Sequence, residues 1–381
     1  MDKKAIWKDI LTKKRFVIKI GTNSLLEESG DFDFVSIAKL IKGIKKLLEN
    51  GKEVLLVSSG AISAGLKRMK RKEQTHDVVE QQVLAAIGNP MLMQKYIQMF
   101  GNTPVAQVLL TQHDLSSRSS YTHLRNAIEK MLEMGIVPII NENDVVSIDE
   151  LAGTSDNPTT TEYNFSDNDV LSALLTGAVD GDVLVVLSDV DGLYTKHPNS
   201  PNAEFIEVVN KIDARIKGMG QTATRGGRGG MKTKILAAEI ATKSGAYTII
   251  TSAKDVSVTD LLSGNMRSTI FTPEKTLSNK SIWLLYATNA AGKIIIDDGA
   301  IKAIKKGASL LLPGILEAIG DFVERDVIQL VSQAGNVVGK GITNYSSKVI
   351  RERIAQKREG VLPKRTFEVV THENMEFIEQ I

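Results

Sequence analysis

At 381 residues the chain has room for two or three domains of about 150 residues each, and 42% hydrophobic against 24% charged residues allow it a substantial buried core. A formal net charge of +2 supplies no global field for a nucleic acid, so any RNA contact would be local. With no cysteine, disulfides, thiolate metal sites and a cysteine nucleophile are excluded, and His76, His113, His123, His197 and His372 lie too far apart for a metal site of the protein's own.

The first residues, MDKKAIWKDILTKKRF, are charged throughout and lack the apolar stretch of a signal peptide. No run approaches the roughly 20 apolar residues of a membrane span, so a cytoplasmic protein without a membrane partner is expected. Phe16 to Ile20 reads as the first strand, followed by Gly21, Thr22, Asn23 and Ser24. Lys19 interrupts its apolar pattern, so its ammonium should emerge at the strand's end beside Gly21. A cation there suits phosphate oxygens, and a lysine snorkelling from an edge strand is the plainer alternative. Phe34 to Glu49 has helical periodicity and stops at Asn50-Gly51. Val54 to Val57 is a second, fully apolar strand. It runs into Ser58-Ser59-Gly60-Ala61, a small-residue turn opening a helix, which suits an anion or a simple helix cap.

Further strands are expected at Val105 to Leu110, Ile136 to Ile140, Val183 to Leu187 and Tyr247 to Thr251, with helices over Leu124 to Met134, Asp169 to Thr176 and Gly229 to Ser244. Strands alternating with helices predict a doubly wound α/β architecture with a mainly parallel sheet. In such sheets ligands lie beyond the carboxyl ends of the strands, which directs attention to Asn141-Glu142-Asn143-Asp144, Ser166-Asp167-Asn168-Asp169 and Ser188-Asp189. Asp169, at a helix start, is read equally well as a cap or as a catalytic group. Arg225-Gly226-Gly227-Arg228-Gly229-Gly230-Met231-Lys232-Thr233-Lys234 is a glycine loop leading into a periodic helix, a phosphate cradle with Lys234 one turn in. Met231 stands where a Walker A loop requires glycine.

Near Thr272-Pro273-Glu274-Lys275 the pattern changes to a linker, placing the first domain at 1–270, the linker at 271–280 and a small β-rich domain at 281–381. There Ile294 to Ile296, Val327 to Val331 and Val337-Val338 read as strands and Lys348 to Glu359 as a charged helix.

These stretches together resemble the amino acid kinase family over nearly all of the first 270 residues, and Asn141-Glu142-Asn143-Asp144 places the resemblance in its glutamate-phosphorylating branch. Gly299 to Ile304, Gly307 to Leu311 and Pro313-Gly314-Ile315 are similar to the opening helix and turn of a PUA domain, and Gly320-Asp321-Phe322 and Val338 to Gly341 to its later strands. The resemblance implies ATP and L-glutamate giving γ-glutamyl phosphate and ADP with Mg²⁺, the committed step toward proline. By position, Lys19 and Lys234 would stabilise the transferring phosphoryl group and Asp169 would orient both. Ser59, Asp144 and Asn168 would bind glutamate. Lys19, Gly21, Ser188, Asp189, Arg228, Gly229, Gly230, Met231, Lys232, Thr233 and Lys234 would bind the nucleotide.

Ser166, Arg228 and a long loop from Val145 to Phe165 depart from the bacterial pattern, the last two resembling the kinase half of eukaryotic bifunctional pyrroline-carboxylate synthases. The family also implies a homo-oligomer and proline feedback, for which that polar loop, with Thr159-Thr160-Thr161, offers a place; the lability of the acyl phosphate further suggests hand-over to a separate γ-glutamyl phosphate reductase. Two other readings stay open: a sibling kinase for another carboxylate, carbamate or phosphate, and an RNA-binding protein on an inactive kinase scaffold. The second would use Lys302, Lys305, Lys306, Lys340, Lys348, Arg351 and Arg353.

Overall fold

The structure is a computed structural model that describes residues 2–22, 33–71, 77–147, 168–220, 230–254, 257–360 and 367–378. They form two compact units that divide between Asn279 and Lys280. The first unit begins with α1 (Lys3–Thr12), β1 (Arg15–Ile20), α2 (Phe34–Glu49), β2 (Glu53–Ser58), α3 (Ala61–Arg68) and α4 (Val78–Phe100). It continues through β3 (Val105–Leu110), α5 (Gln112–Ser116), α6 (Arg118–Glu133), β4 (Val137–Glu142), α7 (Asn168–Ala178) and β5 (Val183–Ser188). Short strands β6 (Leu193–Tyr194), β7 (Phe205–Ile206) and β8 (Val208–Val209) precede α8 (Ala214–Met219), α9 (Met231–Ser244), β9 (Tyr247–Ser252), α10 (Val258–Leu262) and β10 (Ser268–Phe271).

Among the described residues these strands make an eight-stranded sheet in the order β3-β4-β2-β1-β5-β9-β10-β8. It is parallel except where β10 runs antiparallel to β9. The chain winds from β1 toward β2 and returns on the other side as β5, so the switch point of this doubly wound sheet falls at β1. Alternation sets the two faces. Phe16, Ile18 and Ile20 join Val54, Leu56, Val183 and Val185 in a core with Ile6, Trp7 and Ile10 of α1 and Leu40, Ile41 and Ile44 of α2. Lys19 belongs to the opposite set of β1 side chains, which faces neither α1 nor α2 in that core.

α1 and α9 are among the elements that differ from the sequence expectation. α1 docks through its i, i+4 pair Ile6 and Ile10, a short amphipathic stripe that the surrounding lysines conceal. α9 starts at Met231 rather than Gly229, with Gly230 as an extended N-cap.

The second unit opens with α11 (Asn279–Ile282), whose first residue still belongs to the first unit, and a π-turn over Trp283–Ala287. It continues with β11 (Gly292–Ile296), α12 (Asp298–Lys305), β12 (Leu310–Leu311), β13 (Ile315–Ile319), β14 (Val327–Ser332), β15 (Val337–Ile342), α13 (Ser347–Arg358), β16 (Glu368–Val370) and β17 (Met375–Phe377). A five-stranded sheet, β13-β11-β14-β15-β17, and the pair β12-β16 enclose a core of Ile294, Ile296, Leu312, Ile328, Leu330 and Ile350.

Gly320-Asp321-Phe322, expected in a strand, instead forms the turn after β13, where Gly320 takes φ +92°. Lys340, grouped with the surface cations suited to RNA, is 2% exposed and donates from Nζ to the carbonyls of Leu285 (2.8 Å) and Thr288 (2.7 Å). It is therefore no part of a basic surface. Arg351 is partly engaged too, with Asp321 and the carbonyl of Gly320. No described helix is long and apolar enough to cross a membrane.

Candidate active site

The carboxyl ends of β4, β2, β1 and β5 bring four polar segments to one edge of the sheet. At its centre Lys19, between Val57 of β2 and Val186 of β5 in register, is only 6% exposed. Its Nζ lies 2.6 Å from Asp169 Oδ1. Lys234, on the first turn of α9 and 5% exposed, places its Nζ 3.1 Å from Asp169 Oδ2. Two ammonium groups from opposite ends of the unit thus share one carboxylate, one on each oxygen. Thr233 Oγ1 stands 3.5 Å from Oδ2 and donates at 2.8 Å to the Gly230 carbonyl.

Asp169 is fully buried in the first turn of α7, a helix whose every residue is buried. Burial by itself would push its carboxyl up. The charges of Lys19 and Lys234, and the hydrogen bonds they donate, outweigh burial and hold it below the ordinary aspartate range. Both carboxylate oxygens of Asp169 thus face lysine ammonium groups. Among the described residues the cluster sets two cations against one anion, and charge in a sheltered site acts more strongly on an incoming anion than it would in water.

The neighbouring residue carries a second, uncharged cluster. Asn168 Nδ2 donates to Ser59 Oγ at 2.7 Å and contacts Asn141 Oδ1 at 3.4 Å. Asn141 Nδ2 in turn reaches Asn89 Oδ1 of α4 at 3.4 Å. Ser59 follows β2 because Ser58, the last strand residue, is held by Tyr96 at 2.7 Å and because Gly60 turns the chain into α3 with φ +100°. Asp144 is buried in the turn after β4, beside a Glu142 that accepts from Ser147 at 2.6 Å.

On the other side of β1, Ser188 ends β5 and donates to Asp189 Oδ1 at 2.8 Å, with Asp189 itself exposed. Gly21 directly follows β1, Met231 is half-buried and Lys232 is exposed. Arg228 and Gly229, like Ser166, Asp167 and the loop beyond Ser147, lie outside the described residues.

The structure therefore joins Lys19, Asp169, Lys234 and Thr233 in one cluster and Ser59 and Asn168 in another, the two fused through the adjacent Asn168 and Asp169. It adds Asn141, which the polar run after β4 had indicated without a role, and Asn89, which sequence reasoning missed. The available signal was Gly88-Asn89-Pro90, a polar residue in an otherwise apolar stretch.

Residues 14–252 match the model of the Amino acid kinase family, and residues 292–364 that of the PUA domain. The chain is 38% identical over 372 residues to the glutamate 5-kinase of Dictyoglomus thermophilum, covering 95% of this chain and 96% of the relative. It is 38% identical over 370 residues to that of Thermus thermophilus, with the same coverage. The glutamate 5-kinase of a Cyanothece species is also 38% identical, over 91% of this chain and 93% of the relative.

Proposed function

The chain belongs to the amino acid kinase family, and from that premise we propose that it is a phosphotransferase that moves the γ-phosphoryl group of ATP to the γ-carboxylate of L-glutamate. The single observation that carries this reading is the Lys19–Asp169–Lys234 cluster, two buried ammonium groups on one carboxylate at the switch point of the sheet.

The chemistry requires no general base. A carboxylate is already ionised at neutral pH and attacks phosphorus directly. One P–O bond forms to the γ-carboxylate oxygen, the bond to the β-phosphate oxygen breaks, and ADP leaves without any proton transfer to the protein. The task that remains is to hold two anions in line and stabilise charge on the equatorial oxygens, which fixed cations accomplish. Lys19 and Lys234 have that role here. Asp169 is a positioning residue that orients both.

Glutamate would lie on the Ser59, Asn168 and Asp144 side. The nucleotide would lie along Gly21, Ser188, Asp189 and the start of α9 from Gly230 to Lys234, with Arg228 and Gly229 preceding it. A divalent cation is the usual companion of ATP. Among the described residues no group of three His, Cys, Asp or Glu could hold one. Mg²⁺ would arrive on the triphosphate.

Trapping the acyl phosphate as a hydroxamate tests the reading, with aspartate and acetylglutamate as controls. Product from glutamate and ATP alone is expected; equal or greater product from a control acid would move the assignment to a sibling kinase.

A further inference from the structure

The run Asn141-Glu142-Asn143-Asp144 holds one acid to which the reaction gives no part. Glu142, the last residue of β4, is 9% exposed, and its Oε1 accepts from Ser147 Oγ at 2.6 Å. A carboxylate accepts and does not donate, so the hydroxyl is the donor and the sense of this bond is fixed. The bond closes the turn that carries Asp144. The chain enters that turn with the Asn143 N–H donating to the Leu110 carbonyl at the end of β3 (2.7 Å). The Asn143 carbonyl then accepts from the N–H groups of Val146 (3.1 Å) and Ser147 (3.0 Å). Gln82 of α4 donates from Nε2 to the Val145 carbonyl at 3.1 Å.

In this turn the polar side chains face inward and the hydrocarbon faces out. Asp144 and Ser147 are 5% and 6% exposed, whereas Val145 and Val146 are 41% and 67% exposed. The hydrophobic effect and the cost of burying a carboxylate both favour the reverse, valines in and acid out. Hydrogen bonds therefore hold the turn as it stands. The main-chain bonds shape it whatever its side chains are. The Glu142–Ser147 bond ties its exit back to the end of β4 through two buried side chains.

We propose that Glu142 and Ser147 are positioning residues for substrate recognition: the bond between them holds the turn with Asp144 facing inward, where its carboxylate receives the ammonium group of the amino acid substrate. Neither residue needs to touch the substrate; both act through Asp144. The inference rests on the reading given above of glutamate as substrate and Asp144 as one of its contacts.

Ser147→Ala removes the donor at the cost of a single oxygen atom. With thermal unfolding followed alongside, it is expected to raise the KM for glutamate about tenfold, with kcat and the KM for ATP within about threefold of the parent. The inhibition constant of glutarate, which lacks the amino group, should move by no more than about twofold. At the other end of the bond, Glu142→Gln keeps an acceptor for Ser147 Oγ and Glu142→Leu does not, so the Gln variant should raise the glutamate KM less than the Leu variant. A glutamate KM near the parent's in Ser147→Ala, or equal impairment by Gln and Leu at Glu142, would overturn the proposal. So would an equal weakening of glutarate, or a joint rise in both substrate constants with loss of thermal stability. Turnover of glutamate by the parent protein tests the substrate assignment by itself, before any variant is compared.

Discussion

The two units each bury lysines, and they use them in opposite ways. Lys19 and Lys234 are 6% and 5% exposed and flank a carboxylate. Lys340 is 2% exposed, and its ammonium is held by two main-chain carbonyls, with no carboxylate bonded to it among the described residues. Burial pushes the Lys340 ammonium down to about 8. Asp169, by contrast, is held low by its two cations, so the charges of the first cluster sustain one another. A buried lysine therefore does not mark a site; a cluster that sets two cations against one carboxylate does. Lys340 ties the π-turn at Trp283–Ala287 to β15, a structural duty.

The widest separation should come from substitution of the lysines themselves. Lys234→Ala or Lys19→Ala is expected to lower kcat by about 10²–10⁴ while glutamate binding persists, a range set by other single cations that act on a transferring phosphoryl group. Lys340→Met should leave kcat within about twofold. A similar loss in all three would erase the distinction between the units.

Next in size is Asp169→Asn, which leaves two buried ammonium groups without their counter-charge. Removal of one partner from a buried pair destabilises by about 3–5 kcal/mol, and chemical denaturation at neutral pH should report it. The sign of the acid dependence follows from the lowered carboxyl. The folded group titrates below the 3.8 of a free aspartate, so its stabilisation is complete above about pH 4 and is lost as pH falls through 3.8 toward the folded value. The Asn variant should lack that part of the acid slope.

Lys340 should show the same sign of slope in alkali, because its folded value is lowered too. Between about pH 8 and 10.5 the unfolded chain still holds a proton that the folded chain has released, so unfolding takes up a proton and stability rises with pH. The rise amounts to about 3 kcal/mol over that window, and it should vanish in Lys340→Met. A flat profile in the parent would mean that the Leu285 and Thr288 carbonyls offset the burial completely. The smallest effect is expected from Gly88→Ala, which chemical denaturation should show to be destabilised by about 1–3 kcal/mol through overpacking against the Ala61 carbonyl.

Much of the first unit was legible because parallel strands buried on both faces are continuous apolar runs. The first five strands of the sheet and β9 were placed to within one or two residues, and the ligand-bearing loops follow from where those strands end. α4 was not legible. It is apolar nearly all round and carries Gly88, Asn89 and Pro90 in its middle, so neither periodicity nor propensity outlines it; its packing against α3 does.

Lys19 was legible as an anomaly, a cation in a strand. Lys340 is the same anomaly, yet the two differ only in what long-range contacts bring to them, which local sequence does not contain. Asn89 escaped for a related reason. Its partners, Asn141 and the Ser58–Tyr96 pair, meet it only in the folded chain.

A kinetic cycle on the two site lysines, with acyl phosphate formation measured at saturating ATP and glutamate for Lys19→Ala, Lys234→Ala and the double variant, asks whether they act as one unit on one phosphoryl group. Groups that act together lose their effect together, so the double variant should fall no more than about tenfold below the worse single variant. Losses that multiply, each lysine contributing in full whether or not the other is present, would contradict a shared site organised by Asp169.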